Sequence, residues 1–84
     1  MDKILDGIYL GQVAAAADEK LMRDHNITHV LSLGVWPTAL DPKIKNLKLS
    51  IQDHPSCPIY PLLDKCADFI SDCLRSNGKI LVHW

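Results

Sequence analysis

Between Ile59 and Leu74 the apolar residues recur with a period of about 3.6, and this one segment restricts what the chain can fold into. Ile59, Leu62, Leu63, Cys66, Ala67, Phe69, Ile70, Cys73 and Leu74 share a face, while Asp64, Lys65, Asp68, Ser71, Asp72 and Arg75 take the other. Pro61 suits the first turn of such a helix, and Asn77-Gly78 supplies a left-handed stop. The next apolar residues, Ile80-Leu81-Val82, form an uninterrupted run of the kind found in strands covered on both faces of a parallel sheet. A one-sided helix leading into a two-sided strand implies a sheet for the helix to lie on.

The upstream sequence supplies the other elements. Ile4-Leu5-Asp6-Gly7-Ile8-Tyr9-Leu10-Gly11 sets an Asp-Gly turn between two β-prone runs. From Gln12 to His25 the Ala-rich stretch favours helix, with Val13, Ala17 and Leu21 four apart on one face and Asp18 placed to N-cap a second short segment. Thr28-His29-Val30-Leu31-Ser32-Leu33 is compact and β-prone and ends at Gly34. A loop through Trp36-Pro37 and Asp41-Pro42 follows. Leu47, Leu49 and Ile51 then alternate with Lys48, Ser50 and Gln52, the pattern of a half-exposed strand that delivers Asp53 at its carboxyl end. Strands and helices in alternation imply an α/β fold, in which ligand chemistry collects at the carboxyl ends of strands. Two such ends stand out, Asp53 and His83-Trp84.

With 84 residues there is room for one domain, and folding at this size buries only roughly 63% of the surface that the unfolded chain exposes. The core is thin and stability is expected to be marginal. The 9 basic and 10 acidic side chains leave a formal net charge of -1 with no cluster of Lys or Arg, which argues against nucleic acid or anionic lipid as the main partner. The longest all-apolar run, Val13 to Ala17, is far short of a membrane helix, and Asp6 interrupts any signal-peptide core. A soluble, unsecreted chain of the cytoplasm or nucleus is expected.

Three cysteines leave an odd count. Cys66 and Cys73, seven apart on the helix, are separated by about 10.5 Å along its axis. That exceeds the roughly 7 Å reach of a disulfide, so both read as reduced core residues. Cys57, between Ser56 and Pro58, reads as an exposed thiol open to oxidation. His25 and His29 have the spacing of some metal pairs, but Asn26 to Thr28 should break the helix and part the two rings, so no metal site is expected. Gly7 to Gly11 lacks both the phosphate-loop Lys and the dinucleotide fingerprint, and no cofactor is expected. Asp53 reads by itself as a loop carboxylate opening a turn before Pro55, and His54 beside it as a solvated histidine.

Taken together, several stretches match a known pattern in order and spacing. They are Gly7-Ile8-Tyr9-Leu10-Gly11, the Ala-Ala-x-Asp of 15–18, Leu21, Ile27-Thr28-His29-Val30-Leu31, Asp53-x-Pro55, Phe69-Ile70 and Gly78-Lys79-Ile80-Leu81-Val82-His83. From Ile4 to His83 the chain resembles the dual-specificity protein phosphatases. The resemblance implies the amino-terminal part of that α/β domain: a mostly parallel sheet of about five strands with the long helix on one face. It also implies that Asp53 matches the family's general acid, which protonates the leaving oxygen and later activates water. His83 matches the residue that precedes the catalytic Cys and helps to orient the phosphate-binding loop. Phosphoprotein substrates or kinases are the partners implied for a complete member.

The departure from the family comes at Trp84, which stands where the nucleophilic Cys opens the loop that closes on an Arg. Residues 1–84 then read as a partial domain, a truncated and catalytically inactive form, with Asp53 vestigial and Trp84 non-functional at the nucleophile position. A non-catalytic binding module or a regulatory short isoform is the alternative, and an incomplete copy of an active phosphatase is a third reading. Without the family's later helices, side chains from Val30, Leu31, Ile80, Leu81 or Val82 are expected to lie partly exposed, favouring self-association or partner binding through that sheet face.

Overall fold

The computed structural model describes residues 1–34, 42–49 and 59–83. They form eight elements: β1 (Asp2–Leu5), β2 (Ile8–Gly11), α1 (Val13–Ala16), α2 (Glu19–Asp24), β3 (His29–Leu33), β4 (Lys45–Leu49), α3 (Ile59–Arg75) and β5 (Ile80–His83). The five strands make one sheet in the order β1-β2-β5-β3-β4. Only β1 runs antiparallel to its neighbour; β2, β5, β3 and β4 are parallel.

Local chemistry accounts for the boundaries. The Asp6-Gly7 turn between β1 and β2 needs a left-handed residue, and Gly7 provides it at φ 85°. α1 and α2 are separate helices because the Asp18 side chain accepts a hydrogen bond from Leu21 N at 3.1 Å, starting a new N-terminus. α3 stops where Asn77 turns left-handed at φ 57° and Gly78 N donates to Cys73 O at 2.8 Å. β5 is then drawn between β2 and β3, with Ile80 N donating to Gly7 O at 2.8 Å and Thr28 N donating to Lys79 O at 2.8 Å.

Alternation along the central strands divides the core between the two faces of the sheet. Val30 and Leu81 pack with Ala16, Met22 and Ile27 beneath α1 and α2. Leu31, Ile80 and Leu49 pack with Cys73 beneath α3, where Cys66, Phe69 and Ile70 are half-buried.

Two expectations are corrected. Val30, Leu31, Ile80 and Leu81 are not exposed; each is at most 1% accessible, and Val82 is half-buried. The small alanine side chains of α1 let it approach the sheet, with Ala16 buried at the contact, so one face is sealed by helices upstream of β3. Among the described residues the exposed large apolar side chains lie elsewhere, at Ile4 and Leu5 on edge strand β1 and at Leu74 on α3. Nor does the apolar face of α3 extend to Ala67 and Leu74, which are exposed. Each sits about 100° around the helix from its buried or half-buried predecessor, Cys66 or Cys73, and so falls outside the arc that meets the sheet. The loop through Trp36-Pro37, the segment from Ser50 to Pro58 and Trp84 lie outside the described residues.

Candidate functional site at the carboxyl edge of the sheet

Because β2, β5, β3 and β4 run in one direction, their carboxyl ends form a common edge. In register along it are Gly11 opposite His83, His83 opposite Ser32, and Ser32 opposite Lys48. These residues fall on the face that α1 and α2 cover, the face of Val30 and Leu81. His83 and Ser32 are both fully buried.

Ser32 Oγ lies 2.7 Å from His83 Nε2. Asn46, one row back on β4, donates through Nδ2 to Val30 O at 2.9 Å and to Ser32 Oγ at 3.2 Å. The result is a buried polar cluster spanning three adjacent strands. Two of its atoms, His83 Nδ1 and Asn46 Oδ1, have no hydrogen-bond partner among the described residues. Burial pushes the His83 imidazole below its ordinary pKa, since a charged ring would have to give up its hydration.

Asp53, His54, Cys57 and Trp84 lie outside the described residues, so of the site residues read from the sequence only His83 is placed by the structure. Ser32 and Asn46 were not singled out in the sequence. Ser32 carried a signal, as a hydroxyl interrupting the Val30-Leu31-Ser32-Leu33 run of a buried strand. Asn46 carried none, because only the β3–β4 register brings it to Ser32.

The opposite edge holds a second polar cluster around Thr28. Its Oγ1 accepts from Lys79 N at 3.0 Å, lies 2.7 Å from His29 Nδ1 and sits 4.0 Å from Cys73 Sγ. His29 packs edge-on against Phe69 of α3, with ring centroids 5.4 Å apart. Its pKa is lowered, by burial first and by the Lys45 charge second, with Asp72 opposing. Burial raises the pKa of the Cys66 thiol and, more than the Thr28 contact lowers it, that of Cys73. Both side chains are therefore held as thiols rather than thiolates. His25 is on a different element, its Nδ1 2.9 Å from Leu21 O and its ring edge-on to Tyr9. Among the described residues no three metal-ligating side chains converge. A groove of about 750 Å³ also opens at this amino edge, lined by Met22, Arg23, Asn26, Ile27, Thr28 and Ile44 among others. It is remote from His83, so the cavity and the strand-end cluster are separate features. Among the described residues no helix is long and apolar enough to cross a membrane.

Comparison with known proteins connects this geometry to a family, although no protein-family model matches the chain. It is 36% identical over 83 residues to dual specificity protein phosphatase 15 of Mus musculus, which covers 99% of this chain and 35% of that protein. It is 32% identical over 82 residues to dual specificity protein phosphatase 1 of Arabidopsis thaliana, covering 95% of this chain and 41% of the relative. The chain thus spans less than half the length of these curated relatives. Among solved structures, the crystal structure of DUSP15 superposes with a TM-score of 0.86 at 35% identity, covering 99% of this chain and 53% of that one. The human tyrosine phosphatase-like serine/threonine/tyrosine-interacting protein superposes with a TM-score of 0.85 at 27% identity, covering 99% and 60%.

Proposed function

This chain belongs to the dual-specificity protein phosphatase family, and from that membership we propose that it carries the family's framework without turning over a phosphomonoester itself. The observation that carries this reading is the residue after His83, which is Trp84. In the family that position holds the Cys whose thiolate attacks phosphorus, splitting a very slow hydrolysis into two accessible steps. An indole offers no such lone pair.

The remaining groups do not replace it. Cys73 lies beside Thr28 at the far edge of the sheet, and burial raises the pKa of both Cys66 and Cys73. Asp53, at the general-acid position, supplies general acid catalysis worth only about 10² to 10⁴ in rate. Uncatalysed phosphomonoester hydrolysis needs acceleration of up to about 10²¹. Dephosphorylation of phosphoproteins is the activity this reading assigns to a form of the chain with Cys after His83.

The experiment is hydrolysis of para-nitrophenyl phosphate by the 84-residue protein and by its Asp53→Asn variant. The expected rate is that of buffer for both. Turnover above buffer that disappears in the variant overturns the assignment.

A second reading, a protein-binding module, is favoured by the name of one structural neighbour, a tyrosine phosphatase-like protein named as serine/threonine/tyrosine-interacting. Calorimetric titration against a mitogen-activated protein kinase tests it. Saturable binding supports the module, and the absence of heat removes this partner class.

A further inference from the structure

We infer that Asn46 and Ser32 are positioning residues that lock His83 as the neutral imidazole with its proton on Nδ1, leaving a single fixed N–H donor at the exit of β5. The argument follows each hydrogen in the cluster, starting at the group whose role is unambiguous. The Val30 carbonyl can only accept, so the Asn46 atom 2.9 Å from it is the amide nitrogen, and the amide cannot be flipped. The second hydrogen of that nitrogen is directed to Ser32 Oγ, 3.2 Å away. Ser32 therefore spends a lone pair on Asn46 and has one hydrogen of its own to place.

Ser32 is fully buried and, among the described residues, the only acceptor within reach of its hydroxyl is His83 Nε2 at 2.7 Å. If Nε2 carried the proton instead, the serine hydrogen and the Nδ1 lone pair would both be buried without a partner among the described residues, two unmet groups where the other tautomer leaves only the Nδ1 hydrogen. The hydroxyl therefore donates to Nε2. A neutral ring that accepts at Nε2 holds its proton on Nδ1, and burial favours the neutral ring, which meets no carboxylate among the described residues. Nδ1 is also the ring nitrogen nearer the main chain, and it has no partner among the described residues. The donor is thus held ready at the end of the last strand, and the relay running Asn46 to Ser32 to His83 fixes its direction. Nε2, occupied by the serine hydrogen, is not open to a metal ion.

This inference does not rest on whether the chain turns over a substrate. It is tested on the 84-residue protein, uniformly labelled with ¹⁵N, by long-range ¹H–¹⁵N correlation of the histidine rings at pH 7.5. Such spectra distinguish protonated from unprotonated ring nitrogens. The His83 ring is expected with Nδ1 protonated and Nε2 unprotonated, the reverse of the tautomer that free histidine favours in water. Ser32→Thr, which keeps the hydroxyl, should preserve that pattern, whereas Ser32→Ala should return the ring to the Nε2-protonated majority. A wild-type ring protonated on Nε2, or on both nitrogens, overturns the inference, as does a folded Ser32→Ala variant with an unchanged pattern. Should Ser32→Ala not fold, the wild-type and Ser32→Thr spectra decide the question.

Discussion

A methyl group on Gly78 would stand 2.5 Å from the Thr28 hydroxyl oxygen, with Cys73 O and Cys73 Sγ each at 3.0 Å. The helix stop and the first residue before β3 are packed together at this point, so the connection from α3 to β5 depends on a residue without a side chain. The Thr28 hydroxyl cannot retreat without giving up Lys79 N at 3.0 Å. Gly78→Ala is therefore expected to destabilise by about 1–3 kcal/mol. Chemical denaturation of a double-mutant cycle with Thr28→Ala measures the coupling. The loss in the double variant should be less than the sum of the single losses, because the clash and the hydroxyl are removed together. Strictly additive losses would place the cost of the methyl elsewhere.

Asp18 separates α1 from α2 through one hydrogen bond, from Leu21 N at 3.1 Å. Removing that acceptor by Asp18→Ala should cost about 1 kcal/mol, the usual value of an N-cap side chain, while Asp18→Ser should recover most of it. The midpoint of urea unfolding reads both. An alanine variant as stable as the wild type would mean that packing of Met22 and Ala16, not the cap, sets the start of α2.

Stability should fall as the medium is acidified from pH 7.5 to 5.5, and the sign follows from two histidines. His29 and His83 both have folded pKa values lowered from 6.5 by burial, so over this range the unfolded chain binds more protons than the folded one. The stability present above about pH 6.5 is progressively lost as pH falls toward the folded values. Asp6 does not interfere: its pKa is lowered from 3.8 by the Lys3 side chain, so any loss that it contributes begins only at lower pH. Denaturant midpoints at the two pH values check this. An equal or higher midpoint at pH 5.5 would mean that neither ring is as dry in solution as in the structure.

The parts of this fold that could be read along the chain are those whose cause is local. The Asp6-Gly7 turn, the Asp18 cap, the span of α3 and the Asn77-Gly78 stop each have causes within a few residues, and all appear where the pattern put them. What could not be read depends on register. Asn46 and Ser32 are fourteen residues apart, and nothing in their immediate neighbours indicates that one donates to the other. The expectation of an exposed sheet face failed for a related reason. Alanine-rich helices carry little apolar volume, yet they cover Val30 and Leu81 because their small side chains permit close approach.

Leu81 and Leu5 compare the two kinds of strand in this sheet. Leu81 is wholly buried in β5, between β2 and β3, whereas Leu5 is 63% exposed on edge strand β1. Truncation of Leu81 to alanine removes buried methyl groups and leaves a cavity, at a cost of about 2–5 kcal/mol. The total stability of a domain this size is roughly 4–13 kcal/mol, so that single change should bring the protein close to unfolding at room temperature. Leu5→Ala loses little burial and should stay within about 0.5 kcal/mol of the wild type. Circular dichroism melts of the two variants measure the difference, with the Leu81 variant expected to melt far below the Leu5 variant. Comparable losses from both would show that β1 is buried in solution against a surface absent from the monomer, such as the same edge of a second copy.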